Sequence, residues 1–550
     1  MSQPATRTVV VLAAGEGKRM KSALPKVLHP LLGRTLVGHV LAAAAALEAE
    51  RTVVVVGHGA DQVTAHLAEI APQARTVRQE QQLGTGHATR IALDAFPEIE
   101  GTVVVLNGDV PLLRSQTLQD LVAEHESSGN AATVLTAEVP DPTGLGRVIR
   151  DQAGRFTAIV EERDATAEQR AVNEINAGVY AFDAAVLRRF LTRLSSANDQ
   201  GEEYLTDVIG LCVADGLPVG AHRAKDATET LGCNDRAELA RLRALLRDRV
   251  NLAWMREGVT MDDPLTTWID VTVSLARDVI LRPNTILQGS TVVAEGAEIG
   301  PDTTLVNTEV GAAARVVRAH SEGATIGAEC SVGPYAYLRP GAVLARKAKI
   351  GTYVEVKNSE IGEGTKVPHL TYVGDATIGE GTNIGAATVF VNYDGVSKHR
   401  TVIGSYCRTG ADNMFVAPVE VGDGAYTGAG TVVRRNVPPG ALAVSGGPQR
   451  IIPDWVLRRR AGTPSALAAA RALGNGGGGT GQASGVADSE VLQADDKDTT
   501  RTDGGNHPIR DDGVGFRDNS EFSDQTGDGR PAAVTGGGGS PDGSGQGSIR

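Results

Sequence analysis

The chain has 550 residues, of which 41% are hydrophobic and 4% aromatic, and it carries a formal net charge of −13. That length argues for two or three domains, and the apolar fraction is enough for real cores. The acidic balance argues against a nucleic-acid or membrane-surface binder, and no apolar run is long enough for a membrane span, so any anionic ligand has to be captured by local basic groups.

The opening MSQPATRTVVVLAAG runs into a strand without a basic region followed by a long apolar stretch, which predicts a cytoplasmic chain. Cys212, Cys233, Cys330 and Cys407 are too scattered for a disulfide framework or a CxxC metal site, and they read as free thiols in a reducing compartment. Residues 1–233 alternate strand-like runs (TVVVLAA, RTVVVVG, GTVVVLNGD) with helical stretches such as LVGHVLAAAAALEAE. This alternation predicts a doubly wound, Rossmann-like α/β domain. Over residues 234–258, Leu239, Leu242, Leu245 and Leu246 recur on one helical face, which predicts a linker helix.

Residues 259–460 follow a different rule. An aliphatic residue followed by a small one recurs every six positions, most cleanly at Ile326, Val332, Leu338, Leu344, Ile350 and Val356. The register resumes at Ile361, Val367 and Val373, and again at Ile378 and Ile384, with the five-residue steps absorbed at corners. A period of six suits neither a helix nor an ordinary strand; it predicts a left-handed parallel β-helix of hexapeptide repeats, whose flat faces are commonly covered by trimerisation. Residues 461–550 are dominated by Gly, Asp, Ser and Thr, most clearly beyond Gly474, and predict a disordered tail.

Chemistry first becomes legible at LAAGEGKRMKSALPK. Gly15 and Gly17 follow a strand directly, and Lys18, Arg19 and Lys26 come next, an arrangement that lets backbone and cations approach phosphates. GxG alone would equally describe a tight turn. The fuller string L-x-x-G-x-G-x-R-M-x4-P-K fits neither the Walker loop nor the dinucleotide fingerprint, and it resembles the sugar-1-phosphate nucleotidyltransferases. That resemblance spans the first 235 residues. Leu12, Gly15, Arg19 and Lys26 belong to the phosphate loop it implies. QEQQLGTGHA is similar to the uracil-binding loop and carries over Gln79, Gln82, Gly84 and Thr85. TGLGRV, AIVEERDA and NEINAG resemble the sugar-binding segments and carry over Gly146, Glu161 and Asn176. Asp109, at the end of GTVVVLNGD, is either a helix cap or a ligand for Mg²⁺, a hard cation that prefers oxygen. The resemblance implies the second role, with Asn234 as partner ligand.

The second half carries its own constellation. Arg339, Lys357, His369 and Tyr372 lie among the hexapeptides, and VNYDGVSKHR (391–400) breaks their register as an extruded loop, a frequent location for function. Histidine suits removal of a proton from a sugar amine near neutral pH, and the cations suit a sugar phosphate. Residues 259 to about 455 resemble the acetyltransferase domain of the bacterial bifunctional enzymes that acetylate glucosamine 1-phosphate and then uridylylate the product. The resemblance implies His369 as base, with Arg339, Lys357, Tyr372, Asn383 and Lys398 around the sugar phosphate. It further implies Asn392 and Tyr393 in alignment, and acetyl-CoA along a groove that includes Ala411 and Ala429, between the β-helices of a homotrimer.

Some positions depart from the family pattern. Asn107 stands where Tyr is common, Ala177 replaces a frequent Thr, Ala411 a Ser, and Gly446 an Arg, leaving Arg450 as a candidate substitute for the last. The expected activity is acetylation of glucosamine 1-phosphate by acetyl-CoA, followed by UMP transfer from UTP with Mg²⁺, giving UDP-N-acetylglucosamine for cell-envelope precursors. The alternative is a single-activity nucleotidyltransferase whose β-helix only trimerises.

Overall fold

Val9 to Val11, Val53 to Val56 and Val103 to Leu106 are almost wholly buried. Strands apolar on both faces belong at the centre of a parallel sheet covered by helices on each side. They do so here, in the order Val219–Arg223, Ala132–Glu138, Glu174–Asp183, Thr102–Asn107, Arg7–Ala13, Arg51–Val56 and Arg75–Arg78. Only Glu174–Asp183 on this path runs antiparallel to its neighbours. It also joins a side hairpin, Arg147–Arg150 with Phe156–Val160. Val9 and Val11 pack in one layer with Val37 and Val40, whereas Val10 packs in the other with Ala88, Ala92 and Leu93. The computed structural model describes residues 6–198, 200–446, 449 and 451–474.

Helix Arg236–Arg256 is capped by Asp235, whose side chain accepts from the amides of Ala237 and Glu238. Leu239, Leu242 and Leu246 on its apolar face pack with Met20, Leu31, Leu36 and Leu112 of the first domain, and Trp268 and Val271 of the first coil join the same cluster. The amide of Val271 donates to the carbonyl of Leu32 at 3.0 Å. The linker helix thus closes a hydrophobic seam shared by both halves.

From Thr260 onward the chain winds as a left-handed parallel β-helix, contributing one short strand per coil to each of three parallel sheets. Ile326 pairs with Leu344, Val332 with Ile350 and Leu338 with Val356. All six are at most 1% exposed, and Val367, Val373, Ile378 and Ile384 continue the buried column. Each such aliphatic side chain contributes about 1.5–3 kcal/mol by leaving water, and Phe390 and Phe415, fully buried with ring centroids 5.2 Å apart, join the same core. Buried threonines satisfy corner carbonyls; Thr285 donates to Arg282 O at 2.7 Å and Thr291 to Gln288 O at 2.7 Å.

The chain divides into two compact units at Gln449/Arg450. In the second unit the described residues form helices Trp455–Arg459 and Pro464–Gly474. The second helix corrects the expectation of a structureless tail from residue 461: Ala466, Leu467, Ala469 and Ala470 are helix formers in a continuous run. Residues 475–550, and Arg450, lie outside the described residues. Among the described residues no helix is long and apolar enough to cross a membrane.

Candidate functional sites

The first site opens at the carboxyl ends of the central strands, where a doubly wound sheet presents its ligand loops. A cleft of about 300 Å³ is bounded by Leu12 and Gly15 from the first loop, Lys26, the loop 79–85, and Asn107 and Asp109 at the end of Thr102–Asn107. Gln79, Gln82, Gly84 and Thr85 all line it. Lys26 Nζ meets Asp109 Oδ2 at 2.5 Å. Gly17 has φ +64°, and a Cβ there would come within 2.7 Å of the Lys26 Cβ, so only glycine lets the loop fold back over this lysine.

The loop 79–85 is braced from outside. Gln79 Nε2 donates to Gly84 O at 3.2 Å and lies 2.9 Å from His87 Nδ1. Gly84, at φ +107°, would clash through any Cβ with the Glu203 carbonyl at 2.5 Å. Glu203 N donates to Leu83 O, Gly86 N donates to Glu203 O, and Leu205 N donates to Thr85 Oγ1. The segment 202–205 therefore clamps the loop and brings Glu202 into the cleft wall. Glu202 escaped the sequence reading because it is distant in sequence from every motif and carries no spacing signal.

Gly146 and Glu161 meet beside this region, a Cβ at Gly146 lying 3.3 Å from a Glu161 oxygen. Glu161 lines a second cavity of about 320 Å³ with Asp164, Tyr204, Thr206 and Asp207. Burial pushes its carboxyl above the ordinary range, opposed by the Thr206 hydroxyl and reinforced by Asp164 and Asp207. Asn176 donates to Tyr180 Oη at 2.8 Å, and its backbone N–H donates to Gly146 O at 2.9 Å, which ties it to the same wall. Arg19 is exposed on the short turn Lys18–Met20 and is not among the residues bounding the cleft.

Asp109 and Asn234 come together through the backbone, because the neighbouring Cys233 N–H donates to the Asp109 carbonyl at 3.0 Å. The donor set fits a hard cation. Asp109 supplies carboxylate oxygens that already attract an ammonium, and the half-buried Asn234 supplies an amide oxygen with no side-chain partner among the described hydrogen bonds.

The β-helix site is assembled from charge pairs one coil apart. Arg339 meets Glu355 at 2.8 Å, and Lys357 meets Asp375 at 3.1 Å. Asn392 donates to Tyr372 Oη at 3.4 Å and also to Asp375. The register break at 391–400 is a small hairpin, with Tyr393 bridged antiparallel to Lys398 and Val396 at its tip 89% exposed. Lys398 lies close enough to Lys357 for the two ammonium groups to interact, which holds Lys398 below the ordinary lysine range.

His369 lies on a different line, an edge of the prism. Successive backbone bonds climb that edge: Leu370 N to Thr352 O, Ala387 N to His369 O, Asp412 N to Ala386 O, and Gly430 N to Ala411 O. Ala411 and Ala429 therefore stack on the edge that carries the exposed His369, leaving a path bordered by small side chains. Asn383 bridges Lys366 and Arg408 on the sheet next to the one that carries Tyr372 and Val389. Within one chain, then, the expected sugar-phosphate residues do not converge on a single face. Cys330 and Cys407 are buried, and burial raises both thiols, so neither is poised as a nucleophile.

Residues 9–175 match the family described as the MobA-like NTP transferase domain. Over 476 residues the chain is 63% identical to the bifunctional protein GlmU of Thermobifida fusca, covering 86% of this chain and 98% of that protein. The GlmU protein of Streptomyces avermitilis is 60% identical over 85% of this chain and 98% of its own length. That of Corynebacterium aurimucosum is 54% identical over 86% and 98%. The chain belongs to the bifunctional GlmU family. It is thus a two-activity transferase, and the single-activity alternative gives way.

Membership of the GlmU family gives the departures a structural setting. Asn107 lines the cleft at the strand ends, and Ala177 is buried in the strand Glu174–Asp183. Ala411 keeps its edge position without a hydroxyl, and Gly446 is exposed at φ +118°. Asp375 was the conspicuous omission from the sequence reading. It ends the VPHLTYVGD stretch one coil after Lys357, and that coil spacing was the available signal.

Proposed function

We propose that the two sites of this GlmU-family chain act in sequence on one sugar phosphate, the β-helix acetylating glucosamine 1-phosphate with acetyl-CoA and the α/β domain then transferring UMP from UTP. The observation that carries this division of labour is the separation of a phosphate-loop cleft around Lys26 and Asp109 from a cationic cluster of Arg339, Lys357 and Lys398 elsewhere in the same chain.

In the first step His369 accepts a proton from the sugar ammonium. The freed amine attacks the thioester carbonyl, the C–S bond breaks, and coenzyme A leaves as the thiol. Arg339, Lys357 and Lys398 hold the phosphate, with Tyr372 and Asn383 around the sugar, while Asn392 and Tyr393 align it. The small-residue edge of Ala411 and Ala429 suits the extended cofactor arm. Because Asn383 and Tyr372 lie on different sheets, the site is completed between chains, and a homotrimer is the assembly this favours.

In the second step a phosphate oxygen of N-acetylglucosamine 1-phosphate attacks the α-phosphorus of UTP and pyrophosphate departs. No covalent enzyme intermediate is needed, so positioning and charge neutralisation dominate. Gln79, Gln82, Gly84 and Thr85 receive the uracil, and Gly146, Glu161, Asn176 and Asn234 receive the sugar nucleotide. Lys26 meets the triphosphate charge in the cleft, and Arg19, exposed on the turn Lys18–Met20, assists it on moving inward. Mg²⁺ held by Asp109 and Asn234 would supply further neutralisation of the phosphates. The product, UDP-N-acetylglucosamine, serves cell-wall precursor synthesis in the cytoplasm, a location in keeping with four buried, unpaired thiols.

The test is to incubate the full chain with glucosamine 1-phosphate, acetyl-CoA, UTP and Mg²⁺, following free thiol and pyrophosphate separately. Thiol release preceding pyrophosphate release is the expected result. Pyrophosphate formed directly from unacetylated sugar, without thiol, would overturn the order.

A further inference from the structure

Asp375 is only 7% exposed, yet its carboxylate is met by three side chains. Lys357 Nζ lies 3.2 and 3.1 Å from its two oxygens, Asn358 donates at 2.7 Å, and Asn392 donates to Oδ2. Its main chain is equally committed. Asp375 N donates to Lys357 O at 3.1 Å, and Thr401 N donates to Asp375 O at 3.1 Å. Asn392 and Thr401 lie at the two feet of the extruded hairpin, so one residue grips both feet and the cation beside them.

We propose that Asp375 is a positioning residue for acetyl transfer, fixing Lys357 and the hairpin that carries Asn392 and Lys398 in one rigid arrangement around the sugar phosphate. The proposal rests on the acetyltransferase reading of the β-helix and adds to it a carboxylate that acts through its neighbours.

A carboxylate beside a phosphate site opposes the anion unless it has compensating work. Here Lys357 and Lys398 are like charges near enough to interact, and left alone they would part or lose a proton. Asp375 faces both. Lys357 is held above the ordinary lysine range, with burial lowering it and Asp375 among the groups raising it, whereas Lys398 is lowered chiefly by Lys357. The other groups facing the pair are Tyr372 and Arg339, and Arg339 is already committed to Glu355. Asp375 is therefore the carboxylate that keeps two ammonium groups together and charged until the substrate phosphate arrives.

The experiment compares Asp375→Asn and Asn358→Ala with the parent full chain, by thiol release from acetyl-CoA across pH. Thiol release by the parent is required first, and its absence would sink the acetyltransferase reading itself. Losing the charge-assisted bonds in Asp375→Asn should lower kcat/KM for glucosamine 1-phosphate about tenfold. Its alkaline limb should also move to lower pH, because the lysine pair then sheds a proton more readily. Asn358→Ala loosens the carboxylate while leaving its charge, so kcat/KM should fall severalfold with the alkaline limb unmoved. A parent-like kcat/KM in either variant, or an unmoved alkaline limb in Asp375→Asn, would overturn the proposal. Should Asp375→Asn fail to fold, Asn358→Ala alone still decides whether holding the carboxylate matters.

Discussion

The α/β cleft and the β-helix cluster gather their residues in opposite ways. The cleft collects loops from strand ends of one sheet, so Leu12, Lys26, Gln79, Thr85 and Asp109 converge although up to about a hundred residues separate them. The solenoid brings together only what its coil spacing stacks, so Lys357 meets Asp375 and Arg339 meets Glu355, while Asn383 stays on another sheet. A sheet with long crossovers gathers distant residues within a chain; a solenoid orders near ones.

The sharpest break in this comparison is a pair of single variants that each silence one site. His369→Ala should reduce acetyl transfer by about 10²–10⁴-fold while pyrophosphate release from N-acetylglucosamine 1-phosphate stays at the parent rate; a shared loss would show the sites are not independent. Lys26→Ala should cost about 10²–10³-fold in pyrophosphate release, the scale of one preorganised charge contact, with thiol release unchanged. Dilution probes the difference in how the sites are completed. As the protein is diluted through dissociation, thiol release per chain should fall before pyrophosphate release does, and parallel curves would refute a site divided between chains.

Stability offers two finer tests. Leu338→Ala removes a fully buried solenoid side chain and should destabilise the β-helix by about 2–5 kcal/mol, read as an earlier thermal loss of thiol release than of pyrophosphate release. Glu161→Gln should have the smallest effect. Burial holds this carboxyl above its ordinary value, so between the two values the folded chain keeps a proton that the unfolded chain has shed. Parent stability should therefore decline as pH rises through that window, and melting curves of Glu161→Gln should decline less.

Periodicity and motif strings were legible because they are local. The six-residue column from Ile326 to Val356 reports its own burial, and the string from Leu12 to Lys26 reports its own loop. Glu202 was not legible, because the bonds that bring it to the cleft run between segments more than a hundred residues apart. The coil spacing that stacks Asp375 on Lys357 was legible, but the closing of Asn358 and Asn392 on its carboxylate shows only in the folded chain. The helix Pro464–Gly474 was obscured by the composition that follows it, since a window averaging over Gly-rich sequence dilutes an alanine-rich turn.

The seam around helix Arg236–Arg256 bears on where such a protein can be divided. Ending the first domain at residue 235 would strand Met20, Leu31, Leu36 and Leu112 in water, whereas ending it after the helix keeps their cover. The helix is thus less a tether between two enzymes than a jointly owned wall. A gene split at the apparent motif boundary would yield a fragment with an adhesive patch, so a viable cut has to fall beyond the helix.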